Sequence, residues 1–208
     1  MSGKIKVLIF DLGNVVININ IDRFFKKILE HSVKKRIDIT RDFLEILASL
    51  ELGKYSEQEF YLEMKDKAGL KNISQSEFVD IFNDIFDSWN NNVLDFIKNM
   101  RKSKKYKIYA LSNTNAIHIR YLIPSKVDLA EYFDDTFYSY DLGLAKPDLK
   151  VYRRVLKIIK SKPEECLFID DNTINIKAAE KVGMKGFIFK NEDDFLSKIE
   201  EIIELNES

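Results

Sequence analysis

The feature that most constrains the fold is an unbroken apolar run near the N-terminus that ends in an acid. Residues 7–10 (VLIF) have the length and composition of a β-strand, and Asp11 follows them directly. A strand without polar alternation is typical of the centre of a parallel sheet, where helices cover both faces. Gly13-Asn14 then predict a turn. We therefore expect Asp11 at the carboxyl end of a central strand, where open α/β sheets bind ligands.

Three further polar clusters each follow an apolar strand. They are Ser112-Asn113-Thr114 after a strand at 106–111, Lys146 on a loop after a strand at 137–140, and Asp170-Asp171 after a strand at 167–169. Taken singly, each also has a simpler interpretation, as a capping turn or a surface lysine. Adjacent acids beside a buried strand repel each other unless a cation compensates them, so the last cluster favours a divalent metal.

The carboxyl ends of parallel strands lie on one edge of a sheet, so we expect these clusters to meet. Together they contain a carboxylate, hydroxyl and amide donors, a lysine and a carboxylate pair. These groups supply what phosphoryl transfer needs: a nucleophile, oxygen binding, positive charge and a metal site. The predicted fold class is α/β, a doubly wound parallel sheet.

Charge and composition exclude several kinds of partner. The 33 basic and 34 acidic residues give a net charge of −1, which offers no global attraction to nucleic acid or to an anionic membrane. One cysteine, Cys166, and two histidines exclude an internal disulfide and argue against a cysteine or histidine metal centre. No apolar run approaches the ~20 residues of a membrane span, and no signal peptide pattern opens the chain. We expect a soluble, cytoplasmic protein that binds any metal through carboxylates.

Between the first two clusters the apolar spacing becomes helical. From residue 21 to residue 87 the sequence predicts four helices and almost no strand, and S-x-x-E capping boxes at Ser56 and Ser74 begin the last two. We interpret this stretch as a helical insert. The predicted domains are a core at 1–16 and 93–208 and a cap at 17–92. The inner faces of the last two helices are predicted to carry Phe60, Leu62 and Met64, and Phe78, Ile81, Phe82 and Ile85.

Four motifs, in order, resemble the haloacid dehalogenase-like (HAD) hydrolase superfamily. They are FDLGNVV at 10–16, LSNTN at 111–115, AKPD at 145–148 and FIDDNTINI at 168–176. The helical insert is similar to the C1 cap of that family. Within it, the motifs most resemble those of bacterial sugar-phosphate phosphatases that act on α-D-glucose 1-phosphate. The resemblance implies a Mg²⁺-dependent phosphomonoester hydrolase whose partner is a small phosphorylated metabolite, and it leaves both a monomer and a homodimer open.

The resemblance also implies roles for single residues. Asp11 would be the nucleophile that forms an aspartyl-phosphate. Ser112 and the backbone of Asn113 would hold phosphoryl oxygens, and Lys146 would neutralise charge between Asp11 and the phosphate.

The implied metal site draws on the first and last motifs. Asp11, Asp171 with Asp170 behind it, and the backbone carbonyl of Gly13 would bind Mg²⁺. Asn175 stands where many relatives carry a further acid, and we interpret it as an outer-shell residue.

Position 13 departs from the family pattern. HAD phosphatases usually carry a second aspartate two residues after the nucleophile as general acid and base, and here that residue is Gly13. General acid catalysis contributes about 10²–10⁴ in rate, so we expect a preference for weakly basic leaving groups. Hexose 1-phosphates, acyl phosphates and aryl phosphates should be favoured over hexose 6-phosphates. His118 is an alternative proton donor, but we interpret it as a helix-surface residue, and Asn14 as a turn residue.

Other functions on the same scaffold remain open. A 2-haloacid dehalogenase also uses one aspartate nucleophile, but its reaction gives the Asp170-Asp171 pair no role. A non-catalytic protein that binds phosphate and Mg²⁺ would also fit the loss at Gly13. A phosphomutase would need the missing acid.

The loop at 52–55 is a candidate to reach over the active site. Lys54 or Tyr55 would then touch a sugar hydroxyl, although for Tyr55 we favour packing between helices. Trp89 is interpreted as a packing residue where the chain returns to the core.

Overall fold

The computed structural model describes residues 4–122 and 127–204; the ends of the predicted domains at 1–3 and 205–208 lie outside this range. The core is a five-stranded parallel sheet. Its strands are β1 (Val7–Phe10), β4 (Lys107–Ser112), β5 (Asp135–Tyr138), β6 (Cys166–Asp170) and β7 (Lys185–Ile188). They lie in the order β5-β4-β1-β6-β7. A two-stranded antiparallel ribbon is formed by β2 (Ile17–Ile19) and β3 (Phe86–Trp89).

The helices fall into two groups. Four belong to the predicted insert: α1 (Ile21–Ile28), α2 (Arg36–Leu50), α3 (Glu57–Lys67) and α4 (Gln75–Asn83). Six belong with the sheet: α5 (Asn91–Ser103), α6 (Ala116–Leu122), α7 (Ser139–Leu142), α8 (Leu149–Ile159), α9 (Thr173–Lys181) and α10 (Glu192–Glu204). Within the described residues, no helix has both the length and the apolar character to cross a membrane.

Strand β1 is buried on both faces, as its unbroken apolar run predicts. Leu8 and Phe10 pack in the cluster that includes residues of α5 and α10. Val7 and Ile9 point the other way, into the cluster that includes residues of α8 and α9. This alternation follows from the period of two along a strand. The predicted doubly wound α/β sheet is confirmed.

The helical insert, α1 to α4, has its own apolar cluster built on phenylalanine rings. Both predicted capping boxes are present, because Ser56 accepts from the Glu59 N–H and Ser74 accepts from the Glu77 N–H. The interaction of these caps with the helix N-termini fixes where α3 and α4 begin. The limits of a cap domain at 17–92 stay a prediction.

The predicted inner face of α3 is wrong at one position. Leu62 is 51% exposed, whereas Phe60 and Met64 are buried. Two residues along a helix turn the side chain by about 200°, so Leu62 lies opposite Phe60. Tyr61 is buried instead, and its hydroxyl donates to the Ile73 carbonyl at 2.8 Å. On α4, Ile81 is only half-buried.

The ribbon of β2 and β3 joins the insert to the core and was not predicted. Ile17 pairs with Trp89, and Ile19 with Phe86. Beyond the ribbon, Asn90 donates from its main chain to the Val16 carbonyl at 2.9 Å. Trp89 packs against the core cluster, which confirms its interpretation as a packing residue.

Candidate active site

The four polar clusters meet at the carboxyl edge of the sheet, as predicted. They line one side of a pocket of about 420 Å³, and the helical insert lines the other. Six of the seven predicted site residues face this pocket: Asp11, Gly13, Ser112, Asn113, Lys146 and Asp171. The seventh, Asp170, is fully buried behind them.

Asp11 sits directly after β1, with its carboxylate at the base of the pocket. One oxygen, Oδ1, accepts from the Leu12 N–H at 2.7 Å and lies 2.8 Å from Lys146 Nζ. Burial raises the pKa of Asp11 to about 7, although Lys146 acts in the opposite direction. The Lys146 cation therefore favours the ionised form of the carboxylate.

Lys146 bridges two buried carboxylates. Its Nζ atom lies 2.8 Å from Asp11 Oδ1 and 2.7 Å from Asp170 Oδ2, and its side chain is 1% exposed. Burial alone would lower the pKa of Lys146, but the two carboxylates raise it above its ordinary value. The lysine is thus held as a cation.

Asn113 fixes the main chain of Lys146. Its Nδ2 atom donates to the Lys146 carbonyl at 2.8 Å, and its Oδ1 atom accepts from the Lys146 N–H at 2.9 Å. This pair of bonds ties the loop before α8 to the end of β4. The side chain of Asn113 therefore positions Lys146.

Three acids converge beside the pocket in a geometry that suits a metal ion. Oxygen atoms of Asp11, Asp170 and Asp171 all lie within 4.8 Å of one another. A cluster of carboxylate oxygens is the donor set that hard cations such as Mg²⁺ prefer. The residues present therefore fit the predicted metal.

Two asparagines support these acids. Asn175 Nδ2 donates to both oxygens of Asp170 at 3.1 Å. Asn14 Nδ2 donates to Asp171 Oδ2 at 3.2 Å. Asn14 has a φ of 56°, so it is also the turn residue that the sequence predicted. Both asparagines orient acids that would otherwise repel each other.

His118 does not lie on the helix surface, so that interpretation is wrong. It is 6% exposed, lines the pocket and stacks on Phe82, with 4.1 Å between ring centroids. Its Nδ1 atom is 2.9 Å from Asn83 Oδ1. Burial lowers the pKa of His118 to about 3, so the ring is neutral at pH 7. The cause is the packing of α6 against α4, a contact between distant segments.

Glu51 is a pocket residue that the sequence patterns did not reveal. It follows α2 directly and faces the site from the insert. Burial raises the pKa of Glu51 to about 7, Lys146 acts against this shift, and Asp11 adds to it.

The predicted loop residues, Lys54 and Tyr55, do not line the pocket. Lys54 is exposed, and Tyr55 packs against the insert cluster, which confirms the alternative that we favoured for it.

The insert side of the pocket is mostly apolar. Its side chains include Ile19, Phe43, Leu47, Phe82, Ile85 and Phe86. The pocket therefore joins a charged end, at the sheet edge, to an apolar wall.

Comparison with known proteins supports the resemblance that the motifs indicated. The family of haloacid dehalogenase-like hydrolases matches the chain over residues 5–183. The chain is 29% identical over 207 residues to D-ribitol-5-phosphate phosphatase of Bacteroides thetaiotaomicron, covering 96% of this chain and 98% of that protein.

Two solved structures are similar along most of the chain. A HAD-like family hydrolase from Porphyromonas gingivalis has a TM-score of 0.85 and 26% identity, covering 97% of this chain and 98% of that one. A HAD family enzyme from Bacteroides thetaiotaomicron, solved with magnesium and inorganic phosphate, has a TM-score of 0.77 and 27% identity. The match covers 90% of this chain and 95% of that one. The chain belongs to the haloacid dehalogenase-like hydrolase family.

Proposed function

We propose that the protein is a Mg²⁺-dependent phosphatase that hydrolyses a small sugar phosphate, with a hexose 1-phosphate as its preferred substrate. The observation that carries the proposal is the buried contact of 2.8 Å between Asp11 and Lys146, in a pocket that also contains Ser112 and Asp171. A buried nucleophile beside a fixed cation is suited to attack on a phosphoryl group.

The chain's own residues account for two chemical steps. In the first, an Asp11 oxygen attacks phosphorus, and the bond to the leaving oxygen breaks with its electron pair on that oxygen. In the second, water attacks the same phosphorus and releases the Asp11 carboxylate and inorganic phosphate. Lys146 balances the charge of the phosphoryl group in both steps, and the Ser112 hydroxyl and the Asn113 N–H bind its oxygens.

Asp11, Asp171 and the Gly13 carbonyl, with Asp170 behind them, would hold Mg²⁺. When bound there, Mg²⁺ supplies further positive charge to the phosphoryl oxygens. The relative solved with magnesium and phosphate supports this assignment.

The preference for a hexose 1-phosphate follows from position 13. Gly13 has no side chain to protonate the leaving oxygen, so the proton must come from another group. An anomeric oxygen is a weaker base than an ordinary sugar hydroxyl and depends less on that proton. A pocket of about 420 Å³ is within the ~300–1,000 Å³ typical of small-molecule sites. The phosphatase of D-ribitol 5-phosphate shows that a relative acts on a sugar-derived phosphate.

A second candidate substrate is the phosphate ester of an apolar or aromatic alcohol. The apolar wall formed by residues such as Phe43, Leu47 and Phe86 favours it, because few groups on that side can bond to sugar hydroxyls.

The test is phosphate release from α-glucose 1-phosphate, glucose 6-phosphate, p-nitrophenyl phosphate and benzyl phosphate, with Mg²⁺ or with EDTA. Mg²⁺-dependent turnover that Asp11→Asn abolishes and that the exposed control Asp193→Asn retains supports a phosphatase. The ratio of kcat/KM for α-glucose 1-phosphate to kcat/KM for benzyl phosphate decides between the two substrate classes.

Other results would reject the proposal. Chloride release from chloroacetate without Mg²⁺ would establish a dehalogenase. Binding of Mg²⁺ and phosphate without turnover of any ester would establish a binding protein.

A further inference from the structure

We propose that Glu51, carried by the helical insert, is the catalytic residue that protonates the leaving oxygen. The inference rests on the proposed phosphatase function and assigns the role for which position 13 has no side chain. Glu51 lines the same pocket as Asp11 but is carried by the insert, and an in-line displacement sends the leaving group away from the nucleophile.

Position 13 is packed against Ile19. A Cβ atom on residue 13 would lie 2.8 Å from Ile19 Cδ1, so Ile19 already fills the space beside Gly13. Residue 13 therefore carries no acid, and a larger residue there would require Ile19 to move. A proton donor must come from elsewhere.

The ionisable groups that line the pocket differ in the contacts they already make. Asp11 is the nucleophile, Asp171 belongs to the metal site, and Lys146 is bound to two carboxylates. His118 is paired with Asn83 through Nδ1 and is neutral at pH 7. Among the described residues that line the pocket, Glu51 is the remaining ionisable group, and its side chain has no hydrogen bond or ion pair with the described part of the chain.

The main chain of Glu51 is held in place. Its main-chain N–H donates to the Leu47 carbonyl at 2.8 Å, so the residue continues the last turn of α2. Two residues later, Gly53 lies so close to the core that a Cβ atom there would be 2.5 Å from the Tyr140 carbonyl oxygen. The end of α2 is therefore seated on the core beside the pocket.

The protonation state agrees with this role. The charged or titratable groups that line the pocket with Glu51 are Asp11 after β1, Lys146 before α8, His118 on α6 and Asp171 after β6. Burial raises the pKa of Glu51 to about 7, with Lys146 opposing and Asp11 adding to the shift. A general acid is most effective when its pKa is near the working pH.

The proton balance closes over the two steps. As the bond between phosphorus and the leaving oxygen breaks, that oxygen takes the proton of the Glu51 carboxyl group. The Glu51 carboxylate then takes a proton from the water that attacks the aspartyl-phosphate. Glu51 is therefore protonated again when the bond between phosphorus and Asp11 has broken and inorganic phosphate leaves.

A proton donor affects substrates unequally. We expect Glu51→Gln to lower kcat/KM about 10²–10⁴-fold for esters of basic alcohols such as benzyl phosphate and glucose 6-phosphate. The loss should be intermediate for α-glucose 1-phosphate and less than about threefold for p-nitrophenyl phosphate, whose leaving oxygen needs no proton. The preference for glucose 1-phosphate over glucose 6-phosphate should therefore increase in the variant.

The experiment measures kcat/KM of wild type, Glu51→Gln and Glu51→Asp for p-nitrophenyl, phenyl and benzyl phosphate across pH. Glu45→Gln, exposed on the same helix, is the matched control. Three results support the assignment. In Glu51→Gln, kcat/KM depends more steeply on the basicity of the leaving group, and for benzyl phosphate kcat/KM no longer falls at high pH. In Glu51→Asp, part of the lost kcat/KM is recovered.

Three results would overturn the assignment. An equal loss for all three esters would make Glu51 a substrate-binding residue, and unchanged rates would remove it from the mechanism. If wild type hydrolyses none of the esters, the proposed function fails and this assignment fails with it.

Discussion

Ile19 lies where a side chain on residue 13 would point, with its Cδ1 atom 2.8 Å from the position of a Cβ atom on Gly13. The contact joins the turn after Asp11 to the first strand of the ribbon. The absence of a side chain at position 13 is thus coupled to how β2 packs.

The contact predicts a non-additive pair of substitutions. Gly13→Ala should lower the free energy of unfolding by about 1 kcal/mol, because the terminal methyl of Ile19 must move. In an Ile19→Val background, which lacks that methyl, the same change should cost less than about 0.5 kcal/mol. Urea denaturation of the four proteins measures this, with Ile21→Val as the control background. If Gly13→Ala lowered the free energy of unfolding equally in all backgrounds, Ile19 would not limit the space at position 13.

Lys146 should contribute to both activity and stability. Lys146→Met leaves the carboxylates of Asp11 and Asp170 without their shared cation, and it raises the pKa of Asp11 further. We expect kcat/KM to fall at least about 100-fold, and the free energy of unfolding to fall by about 3–5 kcal/mol. Phosphatase assays and urea denaturation test both effects, with the exposed Lys157→Met as control. A variant as stable as wild type would show that the buried charges need no partner.

His118 makes stability depend on pH. Its pKa is about 3 in the folded protein, against an ordinary value of 6.5, so the unfolded chain binds more protons between these values. The contribution of the neutral ring is complete above pH 6.5 and is lost as pH falls towards 3. From pH 7 to pH 5, wild type should lose about 2 kcal/mol more than His118→Gln. Urea denaturation at both pH values measures the difference, with His31→Gln as the control. Equal losses of unfolding free energy in wild type and His118→Gln would contradict the prediction.

Neighbouring residues on α3 should differ sharply in their effects. Phe60 is fully buried among the rings of the insert, and Leu62 is 51% exposed. Phe60→Ala should lower the free energy of unfolding by about 3–5 kcal/mol, and Leu62→Ala by less than about 0.5 kcal/mol. Thermal or urea denaturation separates the two. Similar costs would mean that the helix is rotated from the orientation described.

The features that could be predicted well from the sequence have local signals. The apolar run before Asp11 and the acids at Asp170 and Asp171 each combine a strand with its own polar end. The capping boxes at Ser56 and Ser74 span four residues each. Parallel strands then bring these separate signals to one edge, which is why the charged end of the pocket was predictable.

The features that could not be predicted depend on contacts between distant segments. His118 is buried because α6 packs under α4, and Glu51 reaches the pocket because the end of α2 is seated near Tyr140. Pairing of β2 with β3 joins strands about 70 residues apart along the chain. The strands are short, and Asp87 and Ser88 break the apolar pattern of the second. None of these contacts has a repeated spacing that a single sequence reveals.

The pairing of β2 with β3 also bears on how such an enzyme changes over evolution. The chain leaves the core at Ile17 and returns at Trp89, and these two residues are partners in the ribbon. A segment whose two ends already lie side by side can be exchanged for another of different length without altering the path of the sheet. The apolar wall can therefore vary with this segment, whereas Glu51 and Ile19 link the segment to the carboxyl edge of the sheet.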